Sequence, residues 1–175
     1  MSIFLSTLTE NEYEASLEMV EKAFEQTSIP VSKILERIKR LRYANDYRYE
    51  LEVIAKTSEG QVIGHVMCSE ITIKDAELSY QVLALLSLAV AKPYQSKGIG
   101  KALVQALEER ALNEEYTAIV VLDHYGYFQK LGYEPILNFN IKPPLNMKED
   151  DFKVKFLWDT LEDPPHGQLM ESAVF

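Results

Sequence analysis

Residues 89–111 read AVAKPYQSKGIGKALVQALEERA. A short apolar run closes at Val90, Pro93 and a polar cluster follow, and Gly98 and Gly100 lead directly into a helical pattern. Strand, glycine-bearing turn and helix is an arrangement that holds phosphate. The helix start offers amides with no partner inside the helix and the positive end of its dipole. Two common phosphate motifs fail here. A Walker loop matches at Gly100-Lys101 but needs a glycine where Gln95 stands and a hydroxyl where Ala102 stands. A Rossmann fingerprint matches Gly98 and Gly100 but meets Leu103 at its third glycine.

Working outward, the helix after the turn is expected to run to about Asn113. Ile99, Leu103, Ala106 and Leu107 face inward, and Gln105, Glu108 and Glu109 face out. Before the turn, Leu78–Val90 reads as a strand, apolar on both faces after Val82 and therefore central in a sheet. Gln61–Ile73 is a second strand, joined to an earlier one through Glu59-Gly60. In that earlier strand Tyr49, Leu51, Val53 and Ala55 alternate with polar neighbours. Ala118–Leu122 is a short buried strand. Tyr125–Leu131 is a short helix closed by Gly132, and Phe152–Trp158 alternates as a strand. Near the N-terminus, Thr9-Glu10-Asn11-Glu12 spells a capping box, with Leu8 and Tyr13 placed as a staple. It opens a helix to about Phe24. Pro30 opens another, with an apolar stripe of Val31, Ile34, Leu35, Ile38 and Leu41. Lys33, Arg37, Lys39, Arg40 and Arg42 are read as its basic face, solvated in the first reading and a partner surface in the second. The order of elements predicts a mixed α/β (α+β) fold in one domain, residues 1–175.

Composition narrows the function. With 18 Lys and Arg against 27 Asp and Glu, the net charge is −9. That balance disfavours nucleic acid, whose binding rests on phosphate contacts, and mildly favours a cationic small molecule or peptide, although its first reading is acidity that only aids solubility. The single cysteine, Cys68, excludes an internal disulfide framework and a cysteine zinc cluster. No His and carboxylate spacing suggests a metal. No apolar run reaches the ~20 residues of a membrane span, and no basic region precedes the apolar start. A cytoplasmic protein is the expectation.

The remaining pattern, Q-x-x-G-x-G at Gln95, Gly98 and Gly100, resembles the coenzyme A signature of the GNAT superfamily of N-acetyltransferases. GQVIGHVM at 60–67 is similar to the family's preceding strand pair. VLDHYGYFQKLGYEP at 121–135 is similar to its following strand and helix. The tail from Phe152 to Phe175 looks like a bacterial branch of predicted acetyltransferases. The resemblance implies a mostly antiparallel mixed sheet with splayed central strands flanked by helices, acetyl-CoA as co-substrate, and no metal. Many relatives form dimers, so a homodimer is one expectation. The turn residues Gln95, Ser96, Lys97, Gly98, Ile99, Gly100 and Lys101 are the implied coenzyme contacts, the amides of 97–101 cradling the pyrophosphate. Lys92, Lys97 and Lys101 add positive charge there, although each alone reads as a solvated lysine. Leu88, Ala89 and Val90 would line the pantetheine arm, opposite Ala118–Leu122, and an amide near Leu88 would polarise the thioester carbonyl.

The acceptor implied is a primary amine of a small molecule or peptide, attacking directly. Its site is expected between the N-terminal helices and the strand ends at 85–90 and 122–127, with residues 24–50 shaping it. The leaving thiolate needs a proton, which the family often takes from a tyrosine four residues before the glycine of Leu-Gly-aromatic. Here that position is Phe128, a departure. Tyr127 is next door, about 100° round a helix, and is the first candidate acid. Its other reading is a half-buried packing residue; Tyr125, water or no acid at all are the alternatives. Asp123 and His124, at the end of a strand, are candidate bases or capping residues. His65 and Cys68 stand three apart in a strand, point to opposite faces and are not a nucleophile pair. Ser87 either holds a water or fits a strand bulge. Phe128 also supports a second reading, a module that binds acyl-CoA without turnover.

Overall fold

The computed structural model describes residues 2–25, 30–147, 151–172 and 174–175. Three helices are present, α1 (Tyr13–Phe24), α2 (Val31–Arg42) and α3 (Ile99–Asn113). The strands are β1 (Ile3–Thr7), β2 (Glu52–Thr57), β3 (Val62–Asp75), β4 (Leu78–Val90), β5 (Ala118–Leu122), β6 (Glu134–Pro135), β7 (Ile141–Lys142), β8 (Phe152–Phe156) and β9 (Gly167–Leu169). The chain divides into two compact units. One holds residues 1–69 and 86–110, the other 70–85 and 111–175, so β3 and β4 contribute to both.

In the first unit the strand order is β1-β2-β3-β4. β1 was not expected from sequence, because IFLST lacks alternation. It is an edge strand, paired antiparallel with β2 from Ile3↔Thr57 to Thr7↔Val53, leaving Phe4 and Leu5 exposed. β2 starts later than its alternation suggested, because Tyr49–Leu51 forms a 3-10 turn. Its residues Glu52 to Ala55 are buried on both faces, which explains why Ile54 broke the pattern. The capping box is present but opens a 3-10 turn over Glu10–Glu12, and α1 follows from Tyr13. The Glu12 carboxylate accepts from the Thr9 amide at 3.1 Å and the Thr9 hydroxyl at 2.9 Å, and also meets Lys56 at 2.7 Å. Leu8, Met19, Val20, Ile34 and Ile38 pack α1 and α2 onto Ile54, Val62, Met67 and Ala89 of the sheet.

α3 lies against the opposite sheet face and approaches closely at Gly64. A Cβ there would meet Leu103 Cδ1 at 2.8 Å and Ala55 Cβ at 3.1 Å. Gly64→Ala is therefore expected to lower stability by roughly 1–3 kcal/mol through overpacking, read from the urea midpoint at constant slope.

In the second unit the order is β3-β4-β5-β8-β6, with β9 on β3 and β7 on β9. β4 joins β5 in parallel through Leu83↔Ile119, Ala84↔Val120 and Leu85↔Val121. Leu83, Ala84, Ile119 and Val120 have no solvent exposure, as expected for the continuously apolar runs. β3–β9, β5–β8 and β6–β8 pair antiparallel, and β7–β9 pair parallel. The short helix expected at Tyr125–Leu131 is a 3-10 turn over Phe128–Leu131, ended by Gly132 at φ +94°. β8 stops at Phe156, and Trp158 lies beyond it, its indole N–H donating to the Tyr116 carbonyl.

Candidate active site

The turn at 91–98 is built by local hydrogen bonds. The Tyr94 amide donates to the Ala91 carbonyl at 2.8 Å, and the Gln95 side-chain amide donates to the Val90 carbonyl at 2.9 Å. Gln95 thus ties the turn to the end of β4. Ser96 and Gly98 both have positive φ, +61° and +82°. That reversal aims the chain into α3, whose first i→i−4 bond runs from the Ala102 amide to the Gly98 carbonyl at 3.1 Å. The amides of Ile99, Gly100 and Lys101 precede it and have no acceptor within the helix.

A Cβ at Gly98 would project into open space, with nothing within 4 Å. This is the cradle expected of a pyrophosphate site: backbone donors, a helix start, and a face that any side chain would fill. Gln95 through Gly98 and Lys101 are exposed, while the Ile99 side chain anchors the helix in the core. Lys97 sits over the Tyr94 ring at 5.8 Å. Leu88 and Val90 are half-buried and Ala89 is buried. The residues present therefore fit a coenzyme A pyrophosphate.

The same unit contains a buried polar network that sequence reasoning missed. Arg42 is not on a solvated face. Its side chain is 1 % exposed and meets Glu52 through Nη2 at 2.7 Å and Nε at 3.1 Å. It also donates to Ser16 Oγ at 2.9 Å and stacks on the Tyr13 ring at 4.7 Å. Tyr47 donates to Glu52 Oε1 at 2.6 Å. His65 Nε2 lies 2.6 Å from Glu52 Oε2, and His65 Nδ1 lies 3.1 Å from Ser87 Oγ. Burial alone would raise the Glu52 pKa, but His65 and Arg42 outweigh it and hold the carboxyl down at about 2. Ser87 ends this chain of groups through its contact with His65. A signal was present, because Ile34, Ile38 and Arg42 recur every four residues and share one helix face.

As expected, Cys68 is a buried hydrophobe rather than a partner of His65, and burial pushes its thiol well up.

Asp123, His124 and Tyr127 lie in the second unit. The buried Asp123 carboxylate accepts from Lys153 Nζ at 2.7 Å and from the Gln129 amide at 3.3 Å, tying β5, β8 and the 3-10 turn together. His124 is exposed and stands 3.8 Å from Asp151. Phe128 is buried and packs edge-on against both Tyr127 and Tyr133. Tyr127 is more open, 38 % exposed, and partial burial raises its pKa. Its hydroxyl thus stays protonated at neutral pH. Among the described residues, no group of three or more His, Cys, Asp or Glu could hold a metal ion, and no helix is long and apolar enough to cross a membrane.

Residues 17–133 match the model of the acetyltransferase (GNAT) family. The chain belongs to the GNAT acetyltransferase family. The uncharacterized N-acetyltransferase YhbS of Escherichia coli K12 is 30% identical over 111 residues, covering 62% of this chain and 64% of YhbS. This chain thus spans slightly under two thirds of that relative. The crystal structure of E. coli YhbS with CoA superposes with a TM-score of 0.82 at 20% identity, over 97% of this chain and 89% of that one. A Brucella melitensis GNAT acetyltransferase with acetyl-CoA gives 0.76 at 19% identity, over 99% and 97%. These likenesses establish the GNAT fold, mixed α/β with a mostly antiparallel sheet.

Proposed function

We propose that this GNAT protein, acting as one N-acetyltransferase domain, transfers an acetyl group from acetyl-CoA to a primary amine of a small molecule or peptide. The observation that carries the reading is the turn into α3: Gly98 at φ +82°, open space at its Cβ, and helix-start amides directly after it. The similarity to structures that hold CoA and acetyl-CoA supports it. Ser96 to Lys101 would hold the pyrophosphate, Gln95 would brace them, and Leu88 to Val90 would hold the pantetheine arm. Bound acetyl-CoA supplies the activated thioester. The Leu88 amide would orient and polarise its carbonyl, and Tyr127 would hold the proton destined for sulfur. The acidic surface suits a cationic acceptor.

The test is thiol release from acetyl-CoA against a broad panel of primary amines. Amine-dependent release is the expected result. Tight acetyl-CoA binding without release from any amine would favour the second reading, a non-catalytic acyl-CoA module, which Phe128 at the usual acid position supports.

A further inference from the structure

Two features define the buried network around Glu52. Its carboxylate accepts from Arg42, Tyr47 and His65, and a carboxylate can only accept. His65 Nε2 must therefore carry a hydrogen. For a neutral ring, Nδ1 is then a bare acceptor, and the Ser87 hydroxyl donates to it. Among the described residues, His65 is the hydrogen-bonding partner of Ser87, so both lone pairs of its Oγ stay open to a further donor. Ser87 also directly precedes Leu88, the residue whose amide is proposed above to polarise the thioester carbonyl.

We propose that Ser87, His65 and Glu52 form a proton relay that neutralises the acceptor ammonium. This rests on the acetyltransferase reading. An N–H bond of the ammonium breaks and its proton goes to Ser87 Oγ, while the Ser87 proton passes to His65 Nδ1. The imidazolium so formed lies against the ionised Glu52, 2.6 Å away; being fully buried, it returns its proton through the Ser87 hydroxyl once the product has left. The neutral amine then attacks: the C–N bond forms and the C–S electrons leave with sulfur. The second proton, lost by nitrogen as the amide forms, passes through solvent to the leaving thiolate, giving the amide and the free thiol. Ser87 and His65 are the acting groups. Glu52 is a positioning residue, fixed by Arg42 from α2 and by Tyr47, with Ser16 and the Tyr13 carbonyl of α1 holding Arg42.

Two readouts test the relay. The first needs no coenzyme: ¹⁵N NMR of the protein labelled at its three histidines. In its neutral form, His65 should show a protonated Nε2 and a bare Nδ1. The opposite tautomer would overturn the relay. The second compares ethylamine with 2,2,2-trifluoroethylamine, whose weak basicity delivers it neutral. With ethylamine, Ser87→Ala should lower kcat/KM about 10²-fold, the usual weight of acid–base catalysis. With trifluoroethylamine the loss should be under about five-fold, and Ser87→Thr, which keeps the hydroxyl, should restore the rate. Equal losses with both amines, no loss, or no thiol release from wild type with either amine would overturn the relay. Calorimetry with acetyl-CoA separates the two readings. Equal binding by wild type and Ser87→Ala with equal losses removes the relay alone, whereas no binding by wild type removes the acetyltransferase reading and the relay with it.

Discussion

Arg42→Met is expected to lower stability by about 3–5 kcal/mol, the cost of leaving a buried charge without its partner. Glu52 has no solvent exposure, and Arg42 supplies it with two charge-assisted hydrogen bonds. Arg40→Met offers the contrast. That arginine meets Glu36 at 3.4 Å with both side chains largely exposed, and its loss should change stability by under about 1 kcal/mol. The same network predicts acid sensitivity. The folded pKa of Glu52, about 2, lies below its ordinary 4.5. A lowered carboxyl stabilises the fold above 4.5, and that contribution, about 3 kcal/mol by linkage, is lost as pH falls from 4.5 towards 2. Urea midpoints across this window check the sign. An Arg42→Met protein as stable as wild type would contradict the account.

Tyr127→Phe should reduce kcat for amine acetylation about 10²-fold while leaving acetyl-CoA affinity within about two-fold. Phe128, at the family's usual acid position, is buried and has no hydroxyl, whereas Tyr127 beside it is 38 % exposed. Burial raises the Tyr127 pKa above 10, so the donor stays protonated across the physiological range. An alkaline fall in kcat that arises from Tyr127 should therefore lie above pH 10 and disappear in the variant. An unchanged kcat would return Tyr127 to a packing role.

Much of the architecture was legible before any coordinates. β4 and β5 are continuous apolar runs, and their expected bounds, Leu78–Val90 and Ala118–Leu122, are those observed. α1 was marked by a capping box and α3 by its glycine turn, signals that act within a few residues. What escaped was set by distant partners. β1 is a strand because β2 offers it an edge, not because IFLST alternates. Arg42 looked like one more solvated cation, since Glu52 lies ten positions further on and is reached only after the chain folds back. Glu52, His65 and Ser87 come from three different strands, and their meeting depends on sheet register. Glu52 pairs with Met67, which makes His65 its diagonal neighbour, a relation that no local motif encodes. The coenzyme turn is local and could be read from sequence, while the buried network is tertiary and could not. Of the segment expected to shape the acceptor site, residues 26–29 lie outside the described part of the structure.

The turn before α3 is proposed as the coenzyme A site. Calorimetry of acetyl-CoA with wild type and Gly98→Val tests it most directly. The valine places a branched side chain in the open face of the cradle, at a φ of +82° that suits glycine. The account predicts micromolar binding by wild type and at least a ten-fold weaker Kd for the variant, with an unchanged circular dichroism spectrum. Equal affinity in the two proteins, or no binding by wild type, would contradict it.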